Sequence, residues 1–465
     1  MNKFNFRSKV NILAILLLLC STLVNAQQKK QYNVLFIAVD DLNDWVAAYG
    51  KHPGVKTPNI DRLAKQGMLF TRAYCSAPSC NPSRASLLTG VRPSTSGVYF
   101  NDQPWRPVLP NAVTLPQYFT QNGYDVLGSG KIFHEAYNDK ASWPKYFPVP
   151  PSLKPANAKK GGGNTLTWGP LDVSDSLMAD FKIAERGIEY LKQEHTKPFF
   201  LAIGIIKPHL LWYVPQKYFD MYPLADVKRP LVIPTDLDDV PPMGIKFAKP
   251  QGDHRYITKN NLWEKAVQGY EASISFADAQ IGRLLNALDN SKYKSNTIVV
   301  LFGDHGWNLG EKEHWRKFAL WEETTHVPFI ISAPGIVKTN SVCERTVNLM
   351  DIYPTLNEMC NFPAKNNLEG ISILPLLKNP RLQWDHPSVT TWGQNNHSVR
   401  TERWRYISYS DGGEELYDHT ADPHEWKNLA SDPKFLNIKK QLSVWMPKIN
   451  ASDAPSDHHP NSNGE

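Results

Sequence analysis

Tyr32-Asn33-Val34-Leu35-Phe36-Ile37-Ala38-Val39-Asp40-Asp41 decides the fold. Its first eight residues are almost continuously apolar and rich in β-formers. That pattern marks a strand buried on both faces, as in the middle of a parallel sheet covered by helices. The strand stops at two adjacent carboxylates. In open α/β sheets the site lies outside the carboxyl ends of the strands, so Asp40 and Asp41 stand where chemistry is expected.

Further strands read the same way. Residues 198–205 form a second buried strand, 297–302 a third ending at Asp304-His305, and 327–332 a fourth. Between the second and third lies the clearest helix. Val267, Tyr270, Ile274, Ala277, Ile281, Leu284 and Leu288 recur at three- and four-residue steps. Residues 58–66 read as another helix, with Ile60, Leu63 and Ala64 inward. Strands alternating with helices predict a doubly wound α/β fold. Residues 140–165 read as a surface loop ending in Gly161-Gly162-Gly163, and 225–255 as a second long Pro-rich insertion.

The run Cys80-Asn81-Pro82-Ser83-Arg84-Ala85-Ser86-Leu87-Leu88-Thr89-Gly90 carries the sharpest chemical signal. Pro82 suits the first turn of a helix. Residue 80 then lies just before a helix N-terminus, where free N–H groups favour an anion. Arg84 projects from the first turn toward an oxyanion or a metal-bound diolate. Carboxylates converging on one point repel unless a cation neutralises them, and hard oxygen ligands select Ca²⁺ or Mg²⁺.

Bulk properties bound the rest. Residues 1–26 read as an export signal: Lys3, Arg7 and Lys9, a short apolar run, and a cleavage site at Val24-Asn25-Ala26. The predicted location is periplasmic or secreted. The apolar run is too short for a stable membrane span. A lipid anchor at Cys20 is disfavoured by Leu19, where a small residue is wanted. Loss of the signal lowers the formal charge from +6 to +3, too mild to argue for nucleic acid. Cys75, Cys80, Cys343 and Cys360 follow. With Cys80 modified an odd number is left, which argues against a disulfide framework and leaves Cys343 with Cys360 as an open pairing. About 440 residues remain, enough for one large α/β domain and a smaller one. The expected division is 27–375 catalytic and 376–451 a C-terminal α+β subdomain. That subdomain has short antiparallel strands at 398–408 and 415–418, a turn into a helix at Asp422-Pro423-His424-Glu425, and a terminal helix at 436–446. Residues 452–465 read as a polar disordered tail.

The Cys80 run resembles the signature of type I sulfatases, in which the leading cysteine is oxidised to formylglycine. Gly128-Ser129-Gly130-Lys131-Ile132-Phe133-His134, Lys207-Pro208-His209 and Gly303-Asp304-His305-Gly306-Trp307 follow in sulfatase order. The stretches at 207–209 and 304–311 are most similar to the iduronate-2-sulfatase-like branch. The resemblance implies an alkaline-phosphatase/sulfatase-like fold, with a mostly parallel sheet flanked by helices. It implies hydrolysis of sulfate esters on a sulfated polysaccharide or its oligosaccharides, such as ulvan, carrageenan or glycosaminoglycan. It implies Asp40, Asp41, residue 80 and Asp304 as metal ligands, with His305 either ligating the ion or sitting beside it, and favours Ca²⁺ over Mg²⁺. Many sulfatases carry Asn at the last position, so His305 departs from the pattern. Lys131 and His134 would flank the formylglycine, Lys207 and Lys317 would hold sulfate oxygens, and His209 would be the general acid. A formylglycine-generating enzyme is an implied partner. Trp105, Arg106, Trp212, Trp307 and Trp315 read as sugar-pocket residues, with His397 and Trp392 closing the pocket from above. The rival expectations are a phosphoester or phosphonate hydrolase on the same fold, and a non-catalytic binder of sulfated glycans.

Overall fold

The computed structural model describes residues 31–155 and 166–457. The export signal, the Gly161–Gly163 run and residues 458–465 lie outside the described residues.

Eight strands form the main sheet: β1 (Asn33–Val39), β2 (Met68–Phe70), β3 (Asp125–Gly130), β4 (Lys145–Phe147), β5 (Phe199–Ile205), β6 (Thr297–Gly303), β7 (Phe329–Ser332) and β8 (Ser341–Cys343). Their spatial order is β8-β2-β7-β6-β1-β5-β3-β4. Only β7 runs antiparallel to its neighbours; all other pairings are parallel. The period of two sorts β1 between two cores. Val34, Phe36 and Ala38 pack on one face, and Leu35, Ile37 and Val39 on the other. Burial on both faces explains why this strand has no polar side until its tip.

Helices cover both faces. On the Leu35 side lie α1 (Pro58–Gln66), α3 (Ala179–Leu191) and the long α4 (Trp263–Asp289). The other face receives α2 (Cys80–Thr89), through Ala85, Leu87 and Leu88. Gly90 ends α2 in the left-handed region, at φ 76°.

Register brings the site together. Val39 pairs with both Ile205 and Gly303, and Gly130 pairs with Gly204. The residues that follow those tips, Asp40, Asp304, Lys131 and the 206–209 segment, therefore leave the sheet side by side.

Beyond the main sheet, β9 (Ser388–Thr391), β10 (His397–Arg400), β11 (Trp404–Ser408) and β12 (Glu414–Asp418) form an antiparallel sheet. A terminal helix, α5 (Leu436–Ser443), stops three residues short of the expected end. A buried charge network joins this sheet to the segment before β7. Arg405 binds Glu322 and Glu425, and Arg400 binds Glu322 at 3.0 Å.

Several expectations change. No helix starts at 422–425, because Glu425 is drawn inward to Arg405 and His419. The 140–165 excursion contributes the edge strand β4, and 225–255 contains the short helix Pro242–Ala248. Residues 452–457 are tied to the body of the protein: Ala454 N–H donates to Gly97 O at 2.8 Å, and Asp457 N–H to Asp102 O at 3.0 Å. Cys343 and Cys360 remain separate buried thiols. Among the described residues no helix is long and apolar enough to cross a membrane.

Gly204 sets the spacing beneath the site. A Cβ there would lie 2.1 Å from the Lys131 carbonyl oxygen, a backbone atom that cannot rotate away. Gly204→Ala is expected to lower stability by about 1–3 kcal/mol and to displace Lys131. Urea unfolding measures the first effect and kcat the second.

Candidate active site

α2 begins at Cys80 itself, one residue earlier than expected, with Ser79 as the extended residue before it. The whole helix is buried, so its N-terminus is fixed against the strand tips. Cys80 Sγ lies 3.5 Å from Asp40 Oδ1, 3.9 Å from Asp41 Oδ1 and 3.2 Å from His305 Nε2. Two ammonium groups approach the same sulfur, Lys317 Nζ at 3.0 Å and Lys131 Nζ at 3.6 Å. Cys80 and the acids around it have no solvent exposure.

The acids are held from below. Arg84 Nε donates to Asp304 Oδ2 at 2.7 Å and Nη2 to Asp40 Oδ1 at 2.9 Å. Nη1 donates to the Lys131 carbonyl and, at 3.0 Å, to that of Ile132. This corrects the sequence reading of Arg84: its guanidinium is spent on the acids, and it positions them. Asp41 N–H donates to Asp304 Oδ1 at 3.0 Å, from a left-handed backbone at φ 58°. Burial pushes the Asp40 carboxyl up, but Lys131, Arg84, His209 and Lys317 overcome that and hold it well below the usual range. Burial raises Asp304, and Arg84 and His305 only partly oppose it.

The donor set fits a divalent cation. Ligand atoms of Asp40, Cys80, Asp304 and His305 all lie within 4.8 Å of one another. Asp41 Oδ2 is buried without a hydrogen-bond partner, an arrangement costing about 1–3 kcal/mol unless a cation meets it. His305 Nδ1 is 3.0 Å from the Gly306 carbonyl. With the proton there, Nε2 turns a lone pair toward the acids. Oxygen-rich ligation suits a hard cation.

Other expected residues divide. His209 reaches the cluster: Nε2 is 3.9 Å from Asp41 Oδ2, Nδ1 is 2.7 Å from the Leu210 carbonyl, and the side chain is 17% exposed. His134 is buried at the end of the β3 turn, its ring 5.8 Å from that of Tyr137. Lys207 Nζ donates to the carbonyls of His209 (3.0 Å) and Leu211. Burial lowers its pKa to about 8, with Asp180 opposing.

The sugar-pocket residues are largely corrected. Trp105 is interior, stacked on Phe133 with centroids 5.2 Å apart. Arg106 is committed to Asp139, with bonds of 3.1 and 2.7 Å. Trp212, Trp307 and Trp315 are core residues. His397 is buried between Thr391 Oγ1 (3.0 Å) and Asn450 Oδ1 (2.7 Å), so it braces the small sheet. Apolar burial outweighs sugar stacking wherever a ring's whole surface can be covered.

Two supporting residues escaped the sequence reading. Asp180 accepts from Ile206 N–H (2.7 Å) and Lys207 N–H (3.0 Å), fixing the His209 segment. Its only local signal was an acid in the first turn of α3. Asn101 Oδ1 accepts from Ser79 Oγ and Asn81 N–H, bracing both sides of Cys80. Nothing local in the sequence marks it.

Comparison with known proteins agrees with this geometry. Residues 32–361 match the sulfatase family, and 310–452 match the family described as N-sulphoglucosamine sulphohydrolase, C-terminal. A sulfatase of Formosa agariphila is 38% identical, over 96% of this chain and 93% of its own. Human iduronate 2-sulfatase is 32% identical, over 74% of this chain and 67% of its own. The solved phosphonate monoester hydrolase of Agrobacterium radiobacter superposes with a TM-score of 0.76 at 23% identity, covering 89% of this chain and 94% of that one. At that identity the likeness speaks for the alkaline-phosphatase/sulfatase-like fold alone. With the signature cysteine seated among the acids and the family match spanning most of its length, the chain belongs to the sulfatase family and is a sulfuric ester hydrolase.

Proposed function

We propose that the chain removes sulfate esters from a sulfated polysaccharide or its oligosaccharides. In this reading Cys80 is oxidised to formylglycine by a maturation enzyme, and Ca²⁺ is held by Asp40, Asp41, Asp304 and residue 80, with His305 beside it. Export to the periplasm or beyond belongs to the same proposal. The observation that carries it is the position of Cys80 Sγ, 3.0 Å from the Lys317 ammonium and 3.5 Å from Asp40. A group there meets both a cation site and an anion site.

A bound Ca²⁺ would supply positive charge that lowers the pKa of the attacking hydroxyl. A formylglycine hydrate would supply two hydroxyls on one carbon, one to attack sulfur and one whose deprotonation later expels sulfate. Everything else falls to the chain's own side chains. Lys317 and Lys131 neutralise sulfate oxygens as point charges. Arg84 keeps Asp40 and Asp304 from moving apart or swinging away. Lys207 ties down the loop that carries His209. With Nδ1–H donated to the Leu210 carbonyl, His209 Nε2 faces the cluster and, when protonated, gives its proton to the departing sugar oxygen.

The second reading set against this one is phosphoester or phosphonate cleavage on the same fold. A third is glycan binding without turnover. The deciding experiment co-expresses the chain with a formylglycine-generating enzyme. Sulfate release is then followed from a panel of sulfated oligosaccharides, alongside paired aryl sulfate and aryl phosphate. The proposal predicts sulfate release that disappears in Cys80→Ala. Dominant phosphate turnover would establish the second reading. Binding without release would establish the third, and activity surviving in Cys80→Ala would end the mechanism.

Two variants test individual roles. His209→Gln should lower kcat on a sugar sulfate by about 10²–10⁴-fold. It should lower kcat on 4-nitrophenyl sulfate far less, because that leaving group needs no proton. Asp41→Asn should abolish the rise in thermal unfolding midpoint that added Ca²⁺ gives the parent protein, read by calorimetry with and without chelator.

A further inference from the structure

Three aromatic side chains from distant parts of the chain meet next to Lys317. The ring of Phe318 stacks on Trp392, with centroids 5.1 Å apart and planes at 29°. Phe100 meets Trp392 edge-on, at 4.9 Å and 84°. All three are half-buried, unlike the interior tryptophans described above.

Each hangs from backbone tied to the residues around Cys80. Phe318 N–H donates to Pro78 O at 3.1 Å, and Thr391 N–H, next to Trp392, donates to Ser76 O at 2.9 Å. Asn101, next to Phe100, holds Ser79 at 2.7 Å and Asn81 at 2.9 Å. The Phe318 ring centre lies 5.6 Å from Lys317 Nζ, the ammonium that touches Cys80. An aromatic cluster therefore begins at the residue after Lys317.

The rim is held in place against local preference. Arg316 and Phe318, which bracket Lys317, both sit at φ 81°. Such backbone is disfavoured for residues with side chains and persists where the surroundings over-determine it. Trp392 precedes Gly393 at φ 71°, where a Cβ would meet the Phe100 ring at 3.4 Å. The C-terminal segment joins the two loops. Tyr99 OH donates to Ala451 O at 2.8 Å, and Asn450 Oδ1 lies 2.7 Å from His397 Nε2.

We propose that Phe100, Phe318 and Trp392 form the subsite for the sugar ring that carries the scissile sulfate. The C–H face of a pyranose packs on an aromatic face, while the ester oxygens enter the lysine-lined pocket below. This rests on the glycan reading of the function and assigns the residues that select the sugar.

The test compares parent, Trp392→Ala, Trp392→Phe and Phe100→Leu as matured enzymes. KM is measured on a sulfated oligosaccharide that the parent cleaves. The inhibition constant is measured for inorganic sulfate, which fills the anion site alone. Loss of one stacking contact predicts a KM about threefold to tenfold higher in Trp392→Ala and Phe100→Leu. Trp392→Phe should recover most of the loss, and the sulfate inhibition constant should stay within about twofold in all variants. An unchanged KM, or a sulfate constant rising in step with KM, would overturn the subsite. If the parent cleaves 4-nitrophenyl sulfate but no sulfated saccharide, the glycan reading itself fails and the subsite falls with it.

Discussion

Arg84 bridges Asp40 and Asp304, and the rest of the site depends on that bridge. Two carboxylates at adjacent strand tips, both removed from water, repel each other. A guanidinium below them satisfies one oxygen of each with directed hydrogen bonds. Their second oxygens are partnered too, Asp40 Oδ2 by the Lys131 ammonium at 2.6 Å and Asp304 Oδ1 by the N–H groups of Asp41 and His305, while Asp41 Oδ2 has no hydrogen-bond partner and faces whatever binds above. Removing one partner of a buried pair typically costs about 3–5 kcal/mol, so the clamp is structural as much as electrostatic. It also ties α2 to the sheet, since Arg84 lies one helical turn after Cys80.

The same logic orders the positive charges. Lys131 and Lys317 enter from different segments and end on the same sulfur. Lys131 follows β3, whose register with β5 is fixed by close approach at Gly204. Lys317 sits between two left-handed residues. In a sequence-distant site, these backbone constraints do the work that a rigid ligand frame would do. The buried Arg405 network performs a comparable task farther out, holding the antiparallel sheet against the main domain and so keeping Trp392 near Phe318.

Much of this was legible in the chain itself. The apolar run 33–39 with its acid pair announced a buried parallel strand, because burial on both faces leaves no room for polar alternation. The Cys80 run and Asp304-His305 announced the cluster, because each joins a strand or helix end to metal-ligand chemistry. What could not be read was side-chain direction. Trp105, Trp212, Trp307 and Trp315 look alike in sequence whether they face a sugar or a core, and all four are interior. Lys207 was expected at the sulfate, yet its ammonium bonds to two carbonyls of its own loop. Glu425 read as part of a turn into a helix and residues 452–457 as disordered tail because their partners, Arg405 and the 97–102 loop, are distant in the chain. Asp180 and Asn101 act through backbone N–H groups and hydroxyls, which leave no pattern in sequence.

The most direct measurement is a crystal structure of the matured protein with Ca²⁺, using anomalous scattering to locate the ion. The account predicts one ion about 2.3–2.6 Å from oxygens of Asp40, Asp41, Asp304 and residue 80, with His305 Nε2 beside it. An ion bound elsewhere, or residue 80 turned away from those acids with Lys317 following it, would contradict the account.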